Sequence, residues 1–199
     1  MIALIDYGAG NLASVKKALA ASGVAVFVPA RPNELSSAPG IIVPGVGHFG
    51  ATRTLDGEWA NAIRRHVDLG RPLLGICLGM QWLFEGSDEA PEVSGLGVIR
   101  GRCHRLSKSP GLKIPHVGWN NIDIVREAAI VRGIHSGSQV YFTHSYVAPI
   151  TYETIASTEQ GEKFASIVQR ENVAGVQFHP EKSGEIGMRM LRNLLELAD

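Results

Sequence analysis

Short apolar runs alternate with helix-length segments along the first half of the chain. The apolar runs cover residues 2–6, 24–29, 41–43 and 73–76. Between them, residues 12–23 repeat apolar side chains at helical spacing, and a second helix is predicted near residues 59–69. Because strands separated by helices form parallel βαβ units, this half predicts a parallel sheet covered by helices on both faces.

The pattern changes after residue 98, where strand-like runs follow one another with little helix between them. These runs are 98–106, 121–125, 139–147, 152–158, 164–171 and 173–180. They predict antiparallel additions to the sheet. A last helix is predicted over residues 184–199, and its apolar face consists of Ile186, Met190, Leu191, Leu194 and Leu195.

No linker, repeat or low-complexity tract interrupts the chain, so the sequence predicts a single domain over residues 1–199. The expected fold class is α/β and flavodoxin-like. Its mixed sheet has a parallel core and antiparallel additions, with helices on both faces.

Composition narrows the function without identifying it. Of the 199 residues, 45% are hydrophobic, which is enough for a substantial core. Lysine plus arginine equals aspartate plus glutamate at 19 each, and no basic stripe occurs, so a nucleic-acid partner is not expected. No apolar run is long enough to span a membrane. Only Cys77 and Cys103 are present, too few for a disulfide framework, so a cytoplasmic location is expected.

The sequence GICLG places Cys77 between two glycines, where the strand 73–76 gives way to a helical pattern. It has the form of the nucleophile elbow G-x-S-x-G, in which glycines let the backbone pass close to a strained turn. A helix that starts after the cysteine favours the thiolate, and the N–H of Leu78 could face a tetrahedral oxyanion. The alternative is a small buried hydrophobic residue, the interpretation that suits Cys103.

A candidate base lies in the sequence VQFHPEKS, where His179 follows an apolar strand. Glu181 is two residues further on, so in extended backbone its carboxylate would point the same way as the imidazole. Cysteine, histidine and glutamate could then act as nucleophile, base and orienting group.

Three other motifs in the sequence have a known functional form. His-x-Glu also begins the zinc deaminase signature, but the required P-C-x-x-C does not occur, so no metal site is predicted. GAGNLA at Gly8 fits a dinucleotide-binding fingerprint, but no acidic residue ends the second strand. VPGVG at residues 43–47 is either a plain turn or a strip of backbone N–H groups that completes an oxyanion hole.

The blocks PGVG, GICLGMQ and FHPEKS, in that order, resemble the class I, triad-type glutamine amidotransferases. The resemblance covers nearly the whole chain. Four further blocks, DYGAGN, PGVGHFG, PHVGWN and FTHSY, resemble one subgroup, the glutaminase subunits of imidazole glycerol phosphate synthases in histidine biosynthesis.

The resemblance implies that glutamine is hydrolysed to glutamate and ammonia through a cysteine thioester. The implied catalytic residues are Cys77, His179 and Glu181. The implied oxyanion hole is formed by backbone N–H groups of Val46, Gly47 and Leu78. The implied substrate-binding residues are Gln81, His144, Ser145 and Tyr146. No cofactor and no metal are implied.

One small domain leaves no recognisable site for a phosphorylated acceptor of the ammonia. The resemblance implies that this site lies on a cyclase subunit, a (β/α)8 barrel, in a heterodimer. The cyclase would convert a phosphoribulosyl-formimino aminoimidazole carboxamide nucleotide into imidazole glycerol phosphate and an aminoimidazole carboxamide ribotide. The implied interface residues are Asn11, Pro115, Trp119 and Asn120. Trp119 could equally be a core residue, because the sequence alone does not separate the two positions.

Three alternative functions stay open at this point. The chain could supply ammonia to another synthase, such as those for anthranilate, pyridoxal phosphate or carbamoyl phosphate. It could be a non-catalytic α/β module whose cysteine senses redox state. A cysteine peptidase is disfavoured because no subsite cleft is evident.

Overall fold

The computed structural model describes residues 1–196, apart from the side chains of Leu194 and Leu195, so the predicted apolar face lies outside the described residues at those two positions. The helices are α1 (Leu12–Ala21), α2 (Glu58–Asp68), α3 (Leu78–Trp82) and α4 (Gly184–Leu195). The strands are β1 (Ile2–Leu4), β2 (Val26–Phe27), β3 (Ile41–Val43), β4 (Leu73–Ile76), β5 (Gly86–Ser87), β6 (Arg102–Arg105), β7 (His116–Ile124), β8 (Ser138–His144), β9 (Tyr146–Val147), β10 (Thr154–Glu159), β11 (Lys163–Arg170) and β12 (Val173–Val176). Short 3₁₀ helices cover Pro32–Ser37, Phe49–Leu55, Ala129–Val131 and Pro180–Lys182.

Within residues 1–196, nine strands form the main sheet in the order β2-β1-β3-β4-β12-β11-β10-β7-β8. The neighbours from β2 to β12 are parallel, and those from β12 to β8 are antiparallel. The predicted mixed sheet with a parallel core and antiparallel additions is therefore confirmed.

Three of the predicted runs differ from the structure. The run 139–147 is divided into β8 in the main sheet and β9 outside it. The strand β12 belongs to the parallel core, because Val173–Val176 pairs in register with Leu73–Ile76. The predicted run 98–106 does not join the main sheet. Gly101 has φ +104°, which ends extended backbone, so only Arg102–Arg105 forms a strand, and β6 pairs with β5 and β9 in a separate three-stranded sheet.

Two apolar layers cover the main sheet. Val15 and Leu19 of α1 and Met190 of α4 pack in one cluster, which includes Ile2 and Leu4 of β1. Ile63 of α2 and Met80 of α3 pack in the other, which includes Ala3 and Ile5. The alternation along β1 is the period-two pattern of a strand buried on both faces. Helices therefore cover both faces of the sheet, as predicted.

The topology brings three loops to one edge of the sheet. Strands β3, β4 and β12 are neighbours and parallel, with β4 between the other two. Their carboxyl ends therefore open at the same edge, where ligands bind in sheets of this kind. Each end leads into one of the motif blocks singled out in the sequence. No helix within residues 1–196 is long and apolar enough to cross a lipid bilayer.

Candidate active site

Cys77 occupies a strained turn between β4 and α3. Its φ and ψ are 52° and −105°, a left-handed backbone region that a side chain other than glycine rarely adopts. Its N–H donates to the Val176 carbonyl of β12 at 2.7 Å, which extends the pairing of the two strands into the turn. The helix α3 that follows has only five residues, so its dipole is correspondingly small.

The structure places His179 and Glu181 together on the loop after β12. The Nδ1 atom of His179 lies 2.8 Å from Oε1 of Glu181, and His179 is 1% exposed. The sequence predicted this pairing from extended backbone, but Glu181 lies in the 3₁₀ helix Pro180–Lys182, which turns its carboxylate back to the ring. Ser183 fixes this loop, because its hydroxyl donates to the His179 carbonyl at 2.6 Å and accepts from the Tyr141 N–H at 3.0 Å.

The imidazole of His179 is tuned by its two neighbours. Burial lowers the pKa of His179, but its interactions with Cys77 and Glu181 raise it more, so that the pKa is about 10. Because Nδ1 is bonded to Glu181, Nε2 is the nitrogen left for the thiol, and it has no hydrogen-bond partner among the other described residues. The ring therefore holds a proton at neutral pH, on the side where the sulfur lies.

The predicted oxyanion hole is not assembled in this conformation. The N–H of Val46 donates to the Ala9 carbonyl at 2.6 Å, and the N–H of Leu78 lies 3.4 Å from the Gly45 carbonyl. Gly47 has φ +99° and lines the cavity above the thiol. Two of the three predicted donors, the N–H groups of Val46 and Leu78, therefore already have acceptors. Both follow from the orientation of the Gly45–Val46 peptide, which directs its N–H to Ala9 and its oxygen to Leu78.

A cavity of about 210 Å³ opens above the thiol. All four predicted substrate-binding residues line it, together with Glu89 and Thr143, which the sequence analysis missed. Its residues are Gly47, Cys77, Leu78, Gln81, Glu89, Pro115, Thr143, His144, Ser145 and Tyr146. The volume is below the range of about 300–1,000 Å³ typical of drug-sized sites, which suits a ligand the size of an amino acid. A larger groove of about 760 Å³ lies beside α4; Glu181 lines it, but neither Cys77 nor His179 does.

Gln177 is a third residue at the site that the sequence did not nominate. Its Nε2 atom lies 3.6 Å from the Cys77 sulfur, and its Oε1 lies 3.1 Å from Nε2 of Gln81. The Gln81 nitrogen also donates to the Tyr146 carbonyl at 2.9 Å. The sequence did contain a signal, because Gln177 is two residues before His179 and strand alternation places the two side chains on the same side.

A pair of buried histidines, His116 and His144, lies on the side of the cavity formed by residues 143–146. Nδ1 of His144 donates to the Tyr146 carbonyl at 3.1 Å, so its Nε2 must accept, and the partner at 3.0 Å is Nδ1 of His116. Nε2 of His116 then accepts from the Asn120 amide at 3.2 Å. Burial lowers the pKa of His116 to about 4 and that of His144 to about 3, so both rings are neutral at neutral pH.

The four predicted interface residues do not behave alike. Trp119 is 55% exposed and packs edge-on against Tyr141 at a centroid distance of 6.0 Å, so the core alternative for this tryptophan is wrong. Pro115 is also exposed, and the Asn11 side chain makes no capping bond to α1. The side chain of Asn120, in contrast, turns inward to His116 and to the Glu159 carbonyl.

Comparison with known proteins defines the class. Residues 3–197 match the family model described as glutamine amidotransferase class-I. The chain belongs to the class-I glutamine amidotransferase family. A crystal structure of a glutamine amidotransferase has the same fold, with a TM-score of 0.77 at 22% identity over 100% of this chain and 99% of that chain. The structure of PurLQS from Thermotoga maritima has a TM-score of 0.77 at 19% identity, over 98% and 97% of the two chains.

Curated relatives define the group within the family. The imidazole glycerol phosphate synthase subunit HisH of Moorella thermoacetica is 48% identical over 98% of this chain and 94% of its own length. The HisH subunit of Archaeoglobus fulgidus is 46% identical over 99% of this chain and 98% of its own length. Within the family, the chain belongs with the HisH subunits. This relationship favours the glutaminase interpretation over the redox-sensing and peptidase alternatives.

Proposed function

We propose that this chain hydrolyses the side-chain amide of glutamine at Cys77 and delivers the ammonia to a cyclase chain in histidine biosynthesis. The observation that carries the proposal is the meeting of three segments that are remote in the sequence. The thiol of Cys77 sits at a strained turn and interacts with His179, whose ring is held by Glu181. Gln81 and the 144–146 segment line the same cavity.

The chemistry follows from where the proton resides. The Cys77 thiolate attacks the amide carbon of glutamine, and the protonated His179 passes its proton to the departing nitrogen, which leaves as ammonia. The ring is then neutral and accepts a proton from water, which attacks the thioester carbon and releases glutamate. Glu181 holds the ring by Nδ1 in both steps, so that Nε2 always faces the reacting atoms. The net reaction consumes one glutamine and one water.

The oxyanion needs a conformational change, which we place in the Gly45–Val46 peptide. A single flip of this peptide would release the Val46 N–H from Ala9 and remove the Gly45 carbonyl from the Leu78 N–H. Both donors would then face the cavity, together with Gly47. The present arrangement is accordingly a resting state with low activity.

The flip is open to direct observation. A structure of the complex with glutamine and the acceptor nucleotide bound, in a variant too slow to turn over, is expected to show the Val46 N–H directed at the glutamine side-chain oxygen. The hypothesis is wrong if that N–H still donates to Ala9 when both ligands are present.

Ammonia released into water would be protonated and lost, so the acceptor site should be reached by a closed path on a bound partner. The partner we propose is the cyclase subunit, a (β/α)8 barrel, in a cytoplasmic heterodimer. The exposed Trp119 and Pro115 would contact it, as would Asn11, and Asn120 would brace β7 from within. An exposed tryptophan packed on a tyrosine is a typical interface anchor.

Mixing the chain with a candidate cyclase tests the function. Glutamate release is expected to be slow for the chain alone and to rise roughly 5- to 150-fold when cyclase and acceptor nucleotide are both added, the usual span of allosteric coupling. Absence of any nucleotide-dependent glutamate release, with a folded cyclase that accepts free ammonia, would overturn the proposal.

Trp119→Ala provides the matching interface test. It is expected to raise the Kd for the cyclase roughly 30-fold or more, the cost of a tryptophan hot spot, without unfolding the chain. Tyr152→Ala is the control, because Tyr152 is 87% exposed beside Arg126, beyond the far end of β7. Equal weakening by the two variants would count against Trp119 as the anchor.

A further inference from the structure

We propose that Gln177 is a further catalytic residue, whose side-chain amide donates a hydrogen bond to the Cys77 sulfur and ties it to the substrate-binding wall. The inference rests on the proposed function, since the sulfur is the reacting atom. Gln177 is 0% exposed, and its Nε2 lies 3.6 Å from the sulfur. The blocks PGVG, GICLGMQ and FHPEKS do not include this glutamine, which directly precedes the third of them.

The orientation of the Gln177 amide follows from the acceptors around it. The Tyr146 carbonyl can only accept, so the group of Gln81 that lies 2.9 Å from it must be the nitrogen. That nitrogen also lies 3.1 Å from Gln177, so the facing atom of Gln177 must be the oxygen. The remaining amide atom of Gln177, its nitrogen, must therefore face the sulfur. Reversing either amide would place two donors, or two acceptors, against each other.

Both hydrogens of the Gln81 nitrogen are used by this arrangement, one by Tyr146 and one by Gln177. Only the oxygen of Gln81 can take a further partner, so the residue presents an acceptor and no donor to a ligand. Gln177 therefore has two roles. It sets which amide atom Gln81 presents to the cavity, and it contacts the nucleophile.

The sulfur carries negative charge twice in the cycle. It does so before it attacks glutamine, and again when water displaces it from the thioester. A donor at this buried position stabilises the thiolate in both states, and it costs no reorganisation because the amide is already held. The competing contact of the thiol, to the Thr143 carbonyl at 4.0 Å, is long and could only be made by a protonated sulfur.

Two variants separate the donor from the shape of the side chain. Gln177→Glu keeps the shape and an oxygen facing Gln81, but replaces the donor to sulfur with a second oxygen. Gln177→Met keeps the approximate length and removes both polar contacts. In the complex with cyclase and nucleotide, each is expected to lower kcat for glutamine hydrolysis roughly 10- to 100-fold. The glutamate variant should be the slower, because its oxygen opposes a negatively charged sulfur.

Alkylation of Cys77 by iodoacetamide gives a readout that does not depend on glutamine. Measured on the chain alone at neutral pH by mass spectrometry, the rate is expected to fall roughly 10-fold in both variants. Gln169→Leu is the matched control, since it removes a hydrogen-bonded amide that lies beside the start of β12, whereas Gln177 follows the end of that strand. It should leave alkylation unchanged, and circular dichroism should show that all three variants are folded.

The outcomes distinguish this inference from the proposed function. Alkylation of Gln177→Glu within twofold of wild type would overturn the role of Gln177, whatever the glutaminase rate. A different result would overturn the proposed function instead. If alkylation is slower in both variants, but the wild-type chain hydrolyses no glutamine with any cyclase, the contact between Gln177 and the sulfur is supported and the proposed function is wrong.

Discussion

Cys77→Ala is expected to abolish glutamine hydrolysis, lowering kcat by roughly 10⁴-fold or more, the loss seen when a nucleophile of this kind is removed. The reason is that Cys77 is the only thiol among the described residues that line the cavity, and it is the thiol that interacts with His179. His179 and Glu181 would remain in place, because their mutual bond and the Ser183 contacts do not involve the sulfur. The cyclase should still turn over with added ammonium, since that step bypasses this chain.

Cys103→Ala is the matched control for the same measurement. Cys103 is fully buried, and burial raises the pKa of its thiol, so it is held in the unreactive form. We expect Cys103→Ala to retain most glutaminase activity. A glutamine-mimicking electrophile should label Cys77 in wild type and in this variant, and leave Cys103 untouched. Substantial glutamate release by Cys77→Ala, or labelling confined to Cys103, would remove the basis of the proposed mechanism.

The sequence predicts well those strands that are buried on both faces and read as continuous apolar runs. Residues 41–43 and 73–76 were predicted with their observed bounds, because continuous apolar runs bounded by proline or glycine have one natural place, the centre of a sheet. The run 98–106 was misplaced, because its apolar content resembles a strand while Gly101 breaks the backbone. The parallel pairing of β12 could not be predicted, since it depends on a neighbour 100 residues away in sequence.

Some residues of the candidate site could be predicted from the sequence and others could not. A cysteine between glycines and a histidine two residues before a glutamate are local patterns, so the sequence could nominate them. The inward turn of Asn120 and the amide of Gln177 depend on which acceptors the fold brings near, which a local pattern does not encode. The Gly45–Val46 peptide can take two orientations with the same residues, so the sequence does not determine which one is present. Sequence therefore identifies reactive groups better than the hydrogen bonds that control them.

Gly79→Ala is expected to produce the largest loss of stability among the motif substitutions. A Cβ at this position would overlap the Val43 carbonyl oxygen and come within 2.8 Å of the Val43 carbonyl carbon. Both are backbone atoms of β3, so neither can move as a side chain would. Gly75 shows the same close approach from β4, where a Cβ would lie 2.5 Å from the Gly79 oxygen. The backbone of α3 thus approaches two strands closely at these glycines, which explains why the motif needs both.

Relief of the clash would push α3 away from the sheet, at a cost of about 3 kcal/mol, and lower Tm by roughly 10 °C for a chain of this size. Because Cys77 and Leu78 lead into α3, glutaminase activity should fall as well. Gly40→Ala is the matched control at the other end of β3, since its Cβ would meet chiefly the flexible end of Ile2 at 3.1 Å. Urea denaturation of both variants measures the difference. If the free energy of unfolding of Gly79→Ala lies within about 1 kcal/mol of the wild-type value, the backbone of α3 is able to shift. Close packing through glycine is then not what holds the nucleophile in place.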